Sequence, residues 1–267
     1  MNVTEIKVLL TDAIKASVDA GKEILNIYEG NFKVEYKEDN SPLTLADQRS
    51  HETIVAALEP TGFPILSEEG KEMNYDDRNH WTVLWVVDPL DGTKEFIKQN
   101  GEFTVNIALV KGQSAELGVI YVPVQDTLYF GATEVGAYKV EKTSEKDLND
   151  LEKLTEEGVK LPVSLERPFT MVGSRSHMND ETAAYFEGIR KEHPQAEIIS
   201  CGSSLKICMV AEGKADVYPR FAPTMEWDTA AGHAIVKQAG FDIVRPDDNQ
   251  PLHYNKEDLL NPWFIVK

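Results

Sequence analysis

The chain has 267 residues, of which 42% are hydrophobic and 9% aromatic, so it can bury a sizeable core and is neither disordered nor collagen-like. Its 27 basic and 45 acidic residues give a formal net charge of −18, and such a surface repels nucleic-acid phosphates and anionic membranes. We therefore expect no nucleic-acid partner, and any anionic ligand needs a locally positive site made by bound cations or by a small basic cluster.

The first part of the chain predicts helices followed by strands. Apolar residues recur at helical spacing over residues 4–28, and a second helix is predicted over residues 45–58. Runs rich in β-branched residues, separated by Gly and Pro, then predict strands at residues 64–66, 83–87, 104–110, 117–122 and 127–130. Because the length favours two modest domains, we predict an α+β first domain over residues 1–150.

The second part of the chain predicts alternating strands and helices. Residues 141–160 are rich in charged residues and are expected to form an exposed connection. Strand patterns at residues 169–172 and 197–200 alternate with helices, including one near residues 204–211 and a last one over residues 228–239. This alternation predicts an α/β second domain over residues 151–267.

The two cysteines and the N-terminus bear on the compartment. Cys201 and Cys208 lie in a stretch that is predicted to be helical, and we expect both to be buried thiols of a reducing compartment. The N-terminus lacks the pattern of a signal peptide, and no apolar run reaches membrane-spanning length. The sequence thus predicts a soluble cytoplasmic protein.

Acidic residues stand where burial is expected. Glu68 and Glu69 follow one predicted strand, Asp88 and Asp91 follow the next, and Asp228 opens the last helix. Like charges about 4 Å apart repel by about 4 kcal/mol at an effective dielectric near 20, so such a group needs compensation by a cation. Oxygen ligands without nearby His or Cys favour Mg²⁺ over Zn²⁺.

The spacing of the two aspartates suggests phosphate chemistry. Asp88 and Asp91, with Pro89 between them, could bridge two ions about 3.5 to 4 Å apart, an arrangement that clamps the attacking and leaving oxygens in phosphoryl hydrolysis. Gly92 and Thr93 then open a helix whose backbone N–H groups could face a phosphate. Each feature alone has a simpler interpretation, since Asp-x-x-Asp is a common turn and Asp228 could be only a helix N-cap. The sequence contains no P-loop, no nucleophile elbow and no dinucleotide-binding fingerprint.

Two segments carry a family resemblance. WVVDPLDGT at residues 85–93 and WDTAAG at residues 227–232 resemble the two signatures of the inositol monophosphatase superfamily, which are lithium-sensitive, magnesium-dependent phosphatases. Within it the chain is most similar to the bacterial 3'(2'),5'-bisphosphate nucleotidases. Further matching segments are residues 39–47, 66–69, 92–97, 101–109, 202–206 and 211–220.

The resemblance implies a fold and a catalytic centre. The fold is a layered α-β-α-β-α sandwich of the sugar-phosphatase type with two subdomains. Two or three Mg²⁺ ions are implied, with the ligands Glu68, Asp88, the carbonyl of Leu90, Asp91 and Asp228. Thr93, paired with Asp47, would orient and activate the attacking water, and Glu69 would orient the surrounding shell.

The resemblance also implies a substrate, adenosine 3',5'-bisphosphate, whose 3'-phosphate is hydrolysed to leave AMP, with the 3'-phosphosulfate form as a further candidate and a link to sulfur assimilation. The implied substrate contacts are Gly92, Thr93, His177, Gly202, Lys206 and Arg220. Lys206 and Arg220 would offset the second phosphate. His177 could equally be a surface histidine, and Arg220 could belong to a structural ion pair.

Two alternative functions fit the sequence less well. A phosphatase for inositol or sugar monophosphates is disfavoured by Lys206, because a neutral polyol needs no second anion site. A non-catalytic module that binds a nucleotide or a metal is disfavoured because Asp47 and Thr93 are both present. We predict no obligate protein partner. Peripheral attachment to the cytoplasmic face of the inner membrane is described for similar proteins, although no basic amphipathic segment explains it here.

Overall fold

The computed structural model describes residues 1–30, 34–36, 42–174 and 179–267, with the backbone alone for residues 34–36, 42–44 and 174. The helices are α1 Val3–Tyr28, α2 Leu45–Leu58, α3 Tyr75–Arg78, α4 Thr93–Ile97, α5 Leu151–Glu157, α6 Asp180–Glu192, α7 Leu205–Ala211 and α8 Glu226–Gln238. The strands are β1 Val34–Tyr36, β2 Pro42–Thr44, β3 Ile65–Ser67, β4 Val83–Asp91, β5 Thr104–Lys111, β6 Ser114–Val122, β7 Thr127–Ala132, β8 Gly136–Glu141, β9 Val159–Lys160, β10 Thr170–Ser174, β11 Glu197–Cys201, β12 Tyr218–Arg220, β13 Ile243–Val244 and β14 Phe264–Val266.

A seven-stranded sheet, in the order β3-β4-β5-β6-β7-β8-β9, forms the larger layer. All neighbouring pairs are antiparallel except β3 and β4, which are parallel. Successive residues of β4 face opposite sides, with Leu84 and Val86 in one core cluster and Trp85 and Val87 in the other. Because both faces of the sheet are covered, its central strands have continuous apolar runs instead of an alternating pattern.

Helices α1 and α2 cover one face of this sheet. Helix α1 begins with a capping box, in which the Asn2 side chain accepts from the Glu5 backbone N–H at 3.0 Å and Glu5 accepts from the Asn2 N–H at 2.8 Å. Its apolar stripe, which includes Leu10 and Ile14, packs in the same cluster as Trp85. Burial of this stripe accounts for the helical periodicity of residues 4–28.

Helices α7 and α8 cover the other face and lie beneath a second sheet. This sheet contains β12-β14-β13 and the parallel pair β10-β11, which are joined by a bridge between Met171 and Val217. Helix α6 covers its outer side, where Phe186 packs with Met171 and Val217. The layers therefore follow the order α-β-α-β-α, and the predicted fold class is confirmed.

Most of residues 141–160 are exposed, as predicted, but the stretch is more than a connection. This stretch contains helix α5 and strand β9, and the α5 side chains Leu151 and Leu154 are buried in the core cluster of α1. Its apolar residues are too few to show a periodicity, but they fill the space beside β8. Because β9 pairs with β8, the large sheet continues to Lys160. The division of the chain at residue 150 stays a prediction.

The two cysteines are buried free thiols, as predicted, but only Cys208 is helical, whereas Cys201 ends strand β11. Among the described residues, no helix combines the length and the apolar character that crossing a membrane requires.

Candidate metal and phosphate site

Three carboxylates from distant segments meet at one edge of the large sheet. Glu68, Asp88 and Asp228 each place one oxygen within 4.8 Å of the other two. Strands β3 and β4 run parallel with Ser67 opposite Val87, so the next residue of each strand, Glu68 or Asp88, reaches the same edge. Helix α8 begins over this edge and supplies Asp228 from its first turn.

Asp88 carries an oxygen that needs a ligand. The residue is 1% exposed, and its Oδ1 accepts from the Leu90 N–H at 3.1 Å. Its Oδ2 is buried without a hydrogen-bond partner in the described part of the chain. Burial, and then the negative charges of nearby carboxylates, of which Glu68 acts most strongly, raise the pKa of Asp88 well above its usual value. A divalent cation fits this oxygen, because it offsets the charge that the protein leaves uncompensated.

Asp228 serves its helix and the carboxylate cluster at the same time. Its Oδ2 accepts from the Met225 N–H at 2.8 Å, which satisfies one donor at the start of α8. Burial and the charge of Asp91 raise the pKa of Asp228 to about 8, against the lowering effects of the Met225 hydrogen bond and of Arg220. Asp228 is therefore not the N-cap itself, which is Met225, but the third residue of the helix, and the same side chain also lies in the acidic cluster.

A β-bulge brings Asp91 to the face of the sheet that carries Asp88. Residues three apart on a regular strand face opposite sides. Here Asp88 lies opposite Asn106 and Asp91 lies opposite Thr104, so one extra residue of β4 restores a common face. The sequence pattern predicts both aspartates in a loop after the strand, whereas β4 extends to Asp91. Asp91 lies beside the cluster of three and its charge raises the pKa of Asp88 and of Asp228.

The predicted residues of water activation lie around this cluster. Asp47 is 4% exposed in the first turn of α2, and its charge contributes to the raised pKa of Asp88. Thr93 opens α4, and its Oγ1 lies 3.5 Å from the Leu90 carbonyl, a long hydrogen bond. Glu69 is partly buried, and its charge acts on His51. The roles of these residues stay predictions.

A cavity with basic walls adjoins the carboxylates. Its lining includes Asp91, Asp228, Lys206 and Arg220. Lys206 is 7% exposed, its Nζ donates to the Ser203 carbonyl at 2.5 Å, and burial lowers its pKa against the opposing effect of Asp91. The cavity is therefore lined by both carboxylates and basic side chains, and the basic side chains supply local positive charge in a protein whose overall charge is −18.

At two of the predicted contact residues the fold requires glycine, at Gly92 because of its backbone conformation and at Gly202 because of close packing. Gly92 has φ of +96°, and a Cβ at Gly202 would lie 2.9 Å from the Glu102 carbonyl oxygen. The Gly202 N–H donates to Glu102 Oε2 at 2.7 Å. Both positions thus have a structural explanation, and their contact with substrate stays a prediction. His177 lies outside the described residues, as does part of the matching segment at residues 39–47.

Sequence reasoning missed two polar residues of the site. The Ser204 hydroxyl donates to Asp91 Oδ2 at 2.6 Å, and Asn106 Nδ2 donates to Ser204 Oγ at 2.9 Å. Both residues fall inside segments that carry the family resemblance, which was the only signal available for them. Ser50 was missed as well, and its hydroxyl holds the bulged segment after Asp88 by donating to the Pro89 carbonyl at 2.6 Å.

The chain belongs to the inositol monophosphatase family, whose family model matches residues 5–263. Among its relatives, the 3'(2'),5'-bisphosphate nucleotidases CysQ of Salmonella typhimurium and Escherichia coli K12 are each 43% identical over 263 residues, which cover 97% of this chain and 99% of the relative. The crystal structure of CysQ from Bacteroides thetaiotaomicron, a bacterial member of the inositol monophosphatase family, matches with a TM-score of 0.91 at 53% identity, over 100% of this chain and 98% of that one. The SuhB protein of Bartonella henselae, at 23% identity and a TM-score of 0.73 over 97% of this chain and 93% of that one, shares the fold.

Proposed function

We propose that this chain is a magnesium-dependent 3'(2'),5'-bisphosphate nucleotidase that hydrolyses the 3'-phosphate of adenosine 3',5'-bisphosphate to give AMP and phosphate. The proposal rests on a single cavity that is lined by the carboxylates Asp91 and Asp228 and by the basic residues Lys206 and Arg220. A substrate with two phosphates fits this lining, because cations held by the carboxylates bind one phosphate and the basic side chains bind the other. The names and high identity of the CysQ relatives support the same substrate.

The acidic end is suited to hard cations. Two or three Mg²⁺ ions would be held by Glu68, Asp88, Asp91, Asp228 and the carbonyl of Leu90. All of these donors are oxygens, the ligand type that Mg²⁺ prefers. When bound, Mg²⁺ supplies positive charge that offsets the carboxylates and stabilises the charge developing on the transferred phosphate.

The attacking water is oriented by Thr93 and Asp47. A threonine hydroxyl alone is a poor base, so Asp47 accepts the proton through Thr93 as the water oxygen forms its bond to phosphorus. The bond between phosphorus and the ribose 3'-oxygen breaks on the opposite side, and that oxygen takes a proton from a solvent water molecule. The long contact from Thr93 Oγ1 to the Leu90 carbonyl, at 3.5 Å, leaves this hydroxyl free to turn toward water at little cost. Glu69 orients the groups around it.

The phosphate that is not hydrolysed is bound by Lys206 and Arg220. The Nε of Arg220 is buried without a partner in the described part of the chain, and a phosphate oxygen supplies the missing acceptor. The 3'-phosphosulfate form presents an anion at the same place, so it fits the same pocket and links the enzyme to sulfur assimilation. Gly92, His177 and Gly202 complete the substrate contacts. A cytoplasmic location, with or without attachment to the inner membrane, stays a prediction.

A substrate panel tests the proposal. Purified protein with Mg²⁺ should release phosphate from adenosine 3',5'-bisphosphate with kcat/KM about 100-fold above that for inositol 1-phosphate or fructose 1,6-bisphosphate. Charge-assisted hydrogen bonds to the second phosphate account for a difference of this size from inositol 1-phosphate, whereas fructose 1,6-bisphosphate, which also carries two phosphates, tests whether their spacing on a nucleoside is recognised. Equal values on all three substrates would contradict the assignment to nucleotides. Tight nucleotide binding with no phosphate release would instead identify a non-catalytic module.

A further inference from the structure

One serine hydroxyl, that of Ser204, contacts both Asp91 and Asp228. Ser204 Oγ lies 2.6 Å from Asp91 Oδ2 and 3.1 Å from the carbonyl oxygen of Asp228, and it accepts from Asn106 Nδ2 at 2.9 Å. These groups come from β4, β5, the residue before α7, and α8. Ser204 is 3% exposed and Asn106 is 1% exposed, so water does not compete for these hydrogen bonds.

The donors and acceptors leave one consistent arrangement. A serine hydroxyl has a single hydrogen, and a carboxylate only accepts. The short contact therefore directs the Ser204 hydrogen to Asp91 Oδ2. Asn106 Nδ2 lies 2.9 Å from Ser204 Oγ and 3.5 Å from Asp91 Oδ2. The amide must have this orientation, because the flipped amide would place the Asn106 side-chain oxygen against Asp91 Oδ2, which is also an acceptor. Asp91 Oδ2 is thereby occupied, and the other oxygen of the same carboxylate remains for a ligand.

The Ser204 side chain does not cap helix α7, although the residue stands at the N-cap position. Ser204 occupies the N-cap of α7, where a serine side chain normally accepts from a backbone N–H one turn further on. Here the side chain makes no capping hydrogen bond. Its hydroxyl is committed to a partner 113 residues away in the chain, the Asp91 carboxylate.

We propose that Ser204, held by Asn106, is a positioning residue that orients the Asp91 carboxylate toward the cation. The inference rests on the proposed function in one respect, namely that Asp91 is a metal ligand. Groups that orient metal ligands in this way contribute about 10- to 100-fold to metal affinity.

The test measures Mg²⁺ affinity in the absence of substrate. Isothermal titration calorimetry of Ser204→Ala near neutral pH should show Mg²⁺ binding about 10- to 100-fold weaker than in the unsubstituted protein. Ser17→Ala is the matched control. It removes a buried serine hydroxyl that donates to the Ile14 carbonyl within α1, outside the site, and it should leave Mg²⁺ affinity unchanged.

A second variant and a double-mutant cycle make the result decisive. Ser204→Cys keeps the shape of the side chain, with a slightly larger sulfur in place of the oxygen, but donates weakly. It should therefore also bind Mg²⁺ more weakly, and it replaces Ser204→Ala if that variant does not fold. In an Asp91→Asn background, Ser204→Ala should cause no further loss of the Mg²⁺-induced rise in melting temperature. Native affinity in either single variant, or an undiminished effect in the Asp91→Asn background, would overturn the proposal.

The two proposals fail separately. If the unsubstituted protein binds Mg²⁺ but does not hydrolyse the nucleotide, the proposed function is wrong, while the effect of Ser204 on Mg²⁺ affinity is still measured. If the nucleotide is hydrolysed and Ser204→Ala binds Mg²⁺ normally, only the positioning role is wrong.

Discussion

A Cβ at Gly118 would lie 2.1 Å from the carbonyl oxygen of Ala231, so strand β6 and helix α8 pack backbone against backbone. Asp228 lies one turn before Ala231 on the same helix. The height of α8 above the large sheet therefore decides whether Asp228 reaches Glu68 and Asp88. The absence of a side chain at Gly118 lets the helix approach closely enough.

Gly118→Ala should move α8 away from the sheet. We expect a loss of about 1–3 kcal/mol in the free energy of unfolding, because close-packed backbone cannot absorb an added methyl group, together with weaker Mg²⁺ binding. Denaturant titration and calorimetry check the two effects. Gly188→Ala on α6 is the matched control, since no atom lies within 4 Å of the added Cβ, and it should be neutral or stabilising by up to about 1 kcal/mol. Native Mg²⁺ affinity in Gly118→Ala would show that α8 keeps its place by other contacts.

Asp88→Asn should separate stability from activity. The substitution removes a buried charge surrounded by other carboxylates, so the metal-free protein should unfold at a higher temperature in EDTA at mildly alkaline pH. Phosphate release should fall below detection, because the amide cannot replace the ligand oxygen as an anion. Asp19→Asn, which changes an exposed carboxylate on α1, should alter neither property. A lower melting temperature for Asp88→Asn in EDTA would contradict this account.

The stability of the metal-free protein should fall as the pH rises from about 6 to about 8. The folded-state pKa of Asp228 is raised from 3.8 to about 8 by burial and by Asp91. A raised pKa means that the folded state binds more protons than the unfolded state, so this stability is present at low pH and is lost as the pH rises toward the folded pKa. Melting temperatures in EDTA should fall across this window, in which ordinary carboxylates are already ionised.

Saturating Mg²⁺ should remove that slope, because the cation takes over the role of the bound protons. Asp228→Asn should flatten the EDTA profile without Mg²⁺. A melting temperature in EDTA that rises with pH across the same window would show that burial of these carboxylates is compensated within the protein.

Lys206→Met should weaken recognition of the second phosphate. Methionine preserves much of the apolar stem that packs in the cavity but removes the charge, so KM for adenosine 3',5'-bisphosphate should rise about 10- to 100-fold. The kinetics on adenosine 3'-phosphate, which lacks the second phosphate, should change little. Steady-state kinetics on both nucleotides measure the ratio. An equal rise for both substrates would mean that Lys206 acts by holding the Ser203 carbonyl instead.

Thr93→Ala should lower kcat by about 10²- to 10⁴-fold, the usual contribution of a positioned acid or base. The affinity for Mg²⁺ should be retained, since the Leu90 carbonyl and the carboxylates remain. Thr93→Ser keeps the hydroxyl and should restore most of the activity. Single-turnover rates and metal titration distinguish these effects. A Thr93→Ala variant with native kcat would exclude the hydroxyl from water activation.

Much of the site could be predicted from the sequence because its chemistry is local. Asp88 and Asp228 stand beside apolar runs that must be buried, and a buried carboxylate without a basic neighbour indicates a cation. The helical periodicity of α1 and the runs of β-branched residues indicated the elements for the same reason, since burial leaves a repeat in the chain.

Other features depended on contacts between distant segments. The length of β4 and its bulge decide the face on which Asp91 lies, and nothing in Asp88-Pro89-Leu90-Asp91 distinguishes a bulged strand from a turn. Helix α5 was missed because two buried leucines, Leu151 and Leu154, are too few to stand out in a charged stretch.

By itself, the sequence determined the classes of element and indicated a group of acidic residues that a cation would compensate, because hydrophobic spacing and side-chain chemistry are properties of neighbouring residues. Only the tertiary structure decided that Glu68, Asp88 and Asp228 meet within 4.8 Å and that Ser204 holds Asp91. Those distances are set by the parallel pairing of β3 with β4 and by the close contact of α8 with Gly118. Spacing along a chain shows which face is apolar, but not which distant surface will cover it.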